Sequence, residues 1–197
     1  MMLSGFTNVG SPNKFIMKMI EAGVTDIDLI ANDAGNDHTD GIGSLVCAHR
    51  VRSLIASHIG LNPEAGRQMN AGELKVTLVP QGTLAERIRC GGTGLGGVLT
   101  PTGVGTVVAE GKTVLEVNGR SYLLELPLRA DVAVIKAWKA DTSGNLVYRR
   151  AGRNFNPMMA MAADFVIAEV SEVVEVGGLD PDEIMTPGVC VDMLVQL

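Results

Sequence analysis

Residues 11–32, SPNKFIMKMIEAGVTDIDLIAN, pass from a helical pattern to a strand pattern across one turn signal, and that passage decides the fold class. Ser11 suits an N-cap and Pro12 the first helical position. Phe15, Ile16, Met19 and Ile20 recur at the spacing of one buried helix face, which stops at Gly23. Residues 26–32 (DIDLIAN) then form an apolar strand core that ends on a polar side chain. Working outward, residues 51–58 (VRSLIASH) and 74–82 (LKVTLVPQG) repeat the same habit. Strand patterns alternating with helical ones predict βαβ units, hence an α/β fold with an open, mostly parallel sheet flanked by helices. Thr83 and Glu86 have the T-x-x-E spacing of a capping box, which predicts a short helix LAERIRC closed by Gly91 and Gly92.

The second half adds antiparallel structure. Residues 113–126 (TVLEVNGRSYLLEL) set Asn118-Gly119 between two alternating runs, a strong hairpin signal because a type I′ turn needs positive φ at both central residues. Residues 130–140 and 145–150 read as strands joined by a turn at 141–144. Residues 158–163 are helical and feed a strand at 165–170.

A chain of 197 residues fits a single domain, residues 1–197, with a core large enough to stand without disulfides. Sixteen Lys and Arg against twenty-two Asp and Glu give a net charge of −6, the wrong sign for general binding to nucleic acid. Aromatic residues are only 4%, which also removes a base-stacking platform. Cys47, Cys90 and Cys190 are too far apart for a zinc knuckle or a disulfide framework. Residues 90–109 carry no charge but hold seven glycines and Pro101, so they read as loop and not as a membrane span. Residues 1–15 lack a basic start leading into an apolar run, and the cytoplasm is the expected location.

In an open parallel sheet, ligands gather beyond the carboxyl ends of the strands. The three early strands end in Asn32-Asp33, Ser57-His58 and Gln81-Gly82, so uncharged polar groups would converge on one edge, unless each merely caps a turn. Residues 5–10 (GFTNVG) lie just before a helix start, where backbone N–H groups and the helix dipole can hold an anion. Gly92, Gly94 and Gly97 have G-x-G-x-x-G spacing, but the segment leaves a helix and not a strand, so a dinucleotide site is rejected. A loop of oxyanion donors and a plain crossover remain open. No G-x-S-x-G elbow is present, and His38, His49 and His58 lack metal-ligand spacing, so no metal is expected. Asp33, Asp37 and Asp40 read as a solvated loop. Met158, Met159 and Met161 read as core filler and Trp138 as packing.

Several of these segments together resemble one family, the alpha chains of the family I coenzyme A (CoA) transferases of the acetate/acetoacetate or 3-oxoacid type. The resemblance runs through residues 4–12 (SGFTNVGSP), 29–35 (LIANDAG), 55–64 (IASHIGLNPE), 78–106, 128–141 (LRADVAVIKAWKAD), 144–146 (GNL) and 151–157 (AGRNFNP). It implies an open α/β fold and a site built jointly with a beta subunit, in a family-typical α2β2 assembly. It implies transfer of CoA between a short-chain acyl-CoA and a carboxylic acid such as acetate or acetoacetate, with CoA as substrate and no permanently bound cofactor. The attacking glutamate belongs to the beta subunit. Glu21 and Glu64 do stand in Glu-x-Gly triplets but lack the S-E-N-G surroundings of that nucleophile.

The family's G-G-F-x-x-x-G-x-P signature for CoA binding matches here at Ser4, Gly5, Phe6, Thr7, Asn8, Val9, Gly10, Ser11 and Pro12, departing at Ser4, where Gly is usual. The amides near the reacting thioester match Gln81 and Asn32, in supporting catalytic roles. Gly91–Gly97 would be a site wall or an interface loop. Relatives of this kind carry about twenty further residues before the signature, forming a first helix and strand, so an exposed sheet edge is expected here. Two narrower alternatives are one chain of a 3-oxoadipate CoA-transferase and a non-catalytic CoA-binding homologue.

Overall fold

The computed structural model describes residues 1–37 and 40–197; His38 therefore lies outside the described residues. Seven strands form one parallel sheet: β1 (Met2–Leu3), β2 (Ile27–Ile30), β3 (Val51–Ala56), β4 (Lys75–Leu78), a long β8 (Ala130–Asp141), β10 (Ala163–Val174) and β11 (Met193–Gln196). Their order across the sheet is β11-β10-β8-β1-β2-β3-β4, and β9 (Leu146–Val147) pairs antiparallel with β8. A separate antiparallel sheet contains β5 (Val98–Thr100), β6 (Val114–Val117) and β7 (Arg120–Glu125) in the order β5-β7-β6. The hairpin is formed as read, with Asn118 at φ 51° and Gly119 at φ 73°.

Helices cover both faces of the large sheet. α1 (Asn13–Glu21), α2 (Gly41–Cys47) and α3 (Pro63–Asn70) lie over a core of Leu3, Ile16, Leu29, Leu45 and Leu54. α4 (Gln81–Thr93) and α5 (Asn156–Met161) lie over Met2, Ile88, Ile135, Phe155 and Met159. The two residues of β1 face opposite ways, so Met2 and Leu3 each contribute to a different core. Met159 fills the core as expected, whereas Met161 is exposed.

Several local expectations are corrected. Ser11 does not cap α1. The helix starts at Asn13 after Pro12, and the Ser11 side chain is committed beneath Gly5, with its Oγ buried and unpartnered. The cap comes instead from Glu169 on β10, whose Oε2 accepts the Phe15 N–H at 2.8 Å while Lys136 Nζ holds Oε1 at 3.0 Å. Thr83 and Glu86 form no capping box, because α4 starts three residues earlier than expected, at Gln81, and Thr83 is buried inside the first turn. Gly91 and Gly92 do not end α4; it runs on to Thr93 and stops at Gly94 in the left-handed region, φ 72°. Both glycines serve close packing, since a Cβ on Gly91 would lie 1.9 Å from the Leu128 carbonyl oxygen and one on Gly92 2.6 Å from the Met161 Cβ.

The first strand is not at an edge of the sheet. β1 is interior, with Met2 paired to Ile30 on one side and to Ala133 on the other. The free edges are those of β4 and β11.

Candidate functional site

All seven parallel strands point the same way, so the loops after β1, β2, β3 and β4 gather along one edge. The ladder continues past the strand ends: Ser57 N–H bonds the Asn32 carbonyl at 2.8 Å, and Val79 N–H bonds the Ala56 carbonyl at 2.9 Å. This extension carries Asn32 and Gln81 to within direct contact, and Gln81 Nε2 donates to Asn32 Oδ1 at 2.9 Å. Asn32 is fully buried, while Gln81, at the N-terminus of α4, is exposed. Ser57 Oγ donates to the Asn32 carbonyl at 2.7 Å and lies 3.1 Å from His58 Nδ1. The strand ends thus converge as the sequence suggested, with the His58 ring tilted against that of Phe6, centroids 6.4 Å apart.

The glycine loop after β1 is a closed cradle. Phe6 and Val9 exchange backbone hydrogen bonds at 3.0 Å, turning the chain through Thr7 and Asn8 and leaving the Phe6 and Val9 side chains exposed at the tip. Asn8 Nδ2 donates to Asp40 Oδ1 at 2.7 Å. Ser4 is buried, and its hydroxyl donates to the Gly10 carbonyl at 3.2 Å, so the residue that departs from the family signature helps to close the loop. Gly5, at φ 127°, packs on Ser11, where a Cβ would lie 2.9 Å from the Ser11 Cβ.

The far side of the cradle is clamped by the AGRNFNP segment, a role not evident from sequence. Asn154 Nδ2 donates to the Val9 carbonyl at 2.8 Å. Buried Asn156 accepts the Lys136 N–H at 2.7 Å and donates to the carbonyls of Gly10 at 3.0 Å and Gly152 at 2.8 Å. Removing the Asn156 carboxamide leaves the Lys136 N–H and the Gly152 carbonyl without this partner, while the Gly10 carbonyl keeps the Ser4 hydroxyl, so Asn156→Ala should cost about 1–3 kcal/mol, read as a lowered denaturant midpoint with an unchanged slope.

Asp33 is the largest departure from the sequence reading. Far from lying in a solvated loop, it is 1% exposed and accepts from Thr7 N–H at 2.8 Å, Asn32 Nδ2 at 2.7 Å and Gly35 N–H at 2.7 Å. Its only signal in the sequence was its place directly after Asn32. Gly91–Gly97 belongs elsewhere. It begins ten residues along α4 from Gln81, about 15 Å away at 1.5 Å per residue, so its amides do not join the amide pair. Trp138 is partly exposed, with Lys139 Nζ 4.8 Å and the Arg149 guanidinium carbon 5.3 Å from its ring centroid.

Neither Glu21 nor Glu64 is part of this edge chemistry. Glu21 pairs with Lys18 at 2.7 Å at the end of α1. Glu64, in the first turn of α3, is held by Arg67 and Gln68, and the Arg67 hydrogen bonds chiefly bring its carboxyl down to about 2. An unfolded chain takes up this proton near 4.5, so between those values the unfolded state binds more protons and stability falls as pH falls. Glu64→Gln should therefore flatten the acid limb of the stability–pH curve between about pH 4.5 and 2; an unaltered limb would rule out this contribution.

Residues 1–197, the whole chain, match the coenzyme A transferase family. The chain belongs to that family. It is 56% identical over 194 residues to the alpha chain of the acetate CoA-transferase of Escherichia coli K12, covering 98% of this chain and 88% of that one. It is 48% identical over 195 residues to the alpha chain of the acetoacetyl-CoA:acetate/butyrate CoA transferase of Clostridium acetobutylicum, covering 99% and 89%. Among solved structures, an acyl-CoA transferase from Escherichia coli O157:H7 in a thioester complex with CoA superposes with a TM-score of 0.85 at 19% identity. That match covers all of this chain and 44% of the larger one, and it supports the fold. This CoA-transferase chain is of the alpha type, and that designation implies a partner subunit. Among the described residues no group of three or more His, Cys, Asp and Glu could hold a metal, and no helix is long and apolar enough to cross a membrane.

Proposed function

We propose that this chain supplies the amide half of an active site that moves CoA between a short-chain acyl-CoA and an acid such as acetate or acetoacetate, the attacking glutamate coming from a beta chain in an α2β2 assembly. The supporting observation is the Gln81–Asn32 pair: a prepared set of amide groups at the strand-end edge, next to a glycine cradle, with Glu21 and Glu64 both committed elsewhere.

In this reading the partner's carboxylate attacks the thioester carbonyl and CoA thiolate leaves, giving a mixed anhydride. The thiolate then attacks the glutamyl carbonyl, releasing the first acid and leaving a glutamyl-CoA thioester. A second carboxylate reverses the sequence and departs as the new acyl-CoA. Each attack places negative charge on a carbonyl oxygen, which the free N–H of Gln81 is suited to receive. The cradle residues Ser4, Gly5, Phe6, Thr7, Asn8, Val9 and Gly10 hold the coenzyme beside it.

Mixing the chain with its partner and following acetoacetyl-CoA consumption with acetate tests this directly. Activity is expected only from the mixture. Activity from this chain alone, or borohydride reduction in the presence of acyl-CoA that labels a glutamate within these residues, would overturn the half-site reading.

A further inference from the structure

We propose that Asp33 is a positioning residue that couples the glycine cradle to the amide pair, an inference that rests on the transferase reading above. Two of its three hydrogen bonds lead to different parts of the site. Asp33 Oδ2 accepts the Thr7 N–H from the cradle at 2.8 Å and Asn32 Nδ2 from the amide pair at 2.7 Å, while Oδ1 accepts the Gly35 N–H at 2.7 Å. The carboxylate is 1% exposed, and no cation pairs with it among the described residues, so N–H groups carry its charge.

The coupling follows from the donor and acceptor inventory. A carboxylate accepts only, so the atom of Asn32 facing it must be Nδ2. Asn32 Oδ1 is then turned toward Gln81, whose Nε2 must be the atom that faces it, at 2.9 Å. One N–H of Gln81 is spent on that bond and the other is directed by it. On the cradle side, Thr7 is a β-branched residue held at φ 51°, a conformation such residues rarely adopt, and its N–H is fixed by the same Oδ2. A shift of the cradle on binding coenzyme therefore pulls on the oxygen that orients the amide chain.

The test compares Asp33→Ala, Asp33→Asn, Gln81→Ala and the double variant Asp33→Ala/Gln81→Ala in the assembled enzyme. Asp33→Ala is expected to lower kcat about 30-fold and to raise KM for acyl-CoA several-fold, whereas Gln81→Ala lowers kcat alone. The double variant should be little slower than Gln81→Ala, because both changes remove one function. Asp33→Asn keeps one acceptor oxygen and should recover part of kcat. Multiplicative kcat losses in the double variant, or an unchanged KM in Asp33→Ala, would overturn the coupling.

A readout without turnover separates this failure from failure of the transferase reading. In the free chain, Asp33→Asn should shift both the Thr7 backbone amide and the Gln81 side-chain amide resonances. A Gln81 resonance that stays in place refutes the coupling whether or not the assembled protein transfers CoA.

Discussion

Gln81→Ala is expected to slow turnover of the assembled enzyme about 100-fold while leaving assembly with the partner intact. Gln81 is exposed, and its described side-chain bond is the one to Asn32 Oδ1, so truncation removes no packing that holds α4 in place. The helix is secured instead by buried Leu84 and Ile88 and by the contact of Gly91 with the 126–129 segment. What is lost is an oriented N–H aimed at charge that develops during acyl transfer, and a single donor of this kind is worth roughly 3 kcal/mol of barrier. Steady-state rates with acetoacetyl-CoA and acetate, with size-exclusion chromatography of the complex, check both halves of the expectation. Unchanged turnover would make Gln81 a turn residue with no part in the chemistry.

The largest stability loss is expected from Gly91→Ala. Alanine usually favours a helix interior over glycine by ~1 kcal/mol, so a local rule predicts stabilisation. The tertiary contact reverses the sign, because the new Cβ would lie 1.9 Å from the Leu128 carbonyl oxygen. That segment cannot easily retreat. Leu128 N–H bonds the Arg87 carbonyl at 2.9 Å, Arg87 Nε bonds the Leu126 carbonyl at 2.8 Å, and Arg129 Nη1 bonds the Gly91 carbonyl at 2.8 Å. A net cost of about 3 kcal/mol follows, a melting temperature lower by about 6–12 °C for a chain of this length. Gly66→Ala in α3 is the control: nothing lies within 4 Å of its Cβ position, and it should stabilise by roughly 0.5–1 kcal/mol. Thermal melts of the two variants moving in the same direction would refute the argument.

These two glycines mark the boundary of what sequence reasoning reaches. Both stand within helices, and nothing next to them in the chain separates the one whose missing Cβ is required from the one whose missing Cβ is incidental. The hairpin was legible because positive φ at Asn118 and Gly119 is a property of two adjacent residues. β1 was not, because two residues carry no period; Met2 and Leu3 are a strand only because β2 and β8 pair with them. α2, α3 and β11 were not singled out in the sequence either. The cap of α1 escaped notice for a related reason, since Glu169 lies 154 residues from the N–H it accepts. Asn32 and Gln81 could be nominated from their strand ends and from family resemblance, but their contact across 49 residues depends on the order of β2, β3 and β4 in the sheet.

From its residues alone, this chain determined an α/β class, a hairpin, a glycine loop before a helix, and a set of polar groups at the ends of the early strands. Those features follow from period, turn chemistry and residue type, which act over a few neighbours. Only the assembled sheet decided that Met2–Leu3 lies at its centre, that Asn156 clamps the cradle, and that Asp33 is buried under three N–H donors. Aspartate is a surface residue by default because burying its charge is costly. Whether enough donors converge to offset that cost depends on segments that meet only after folding.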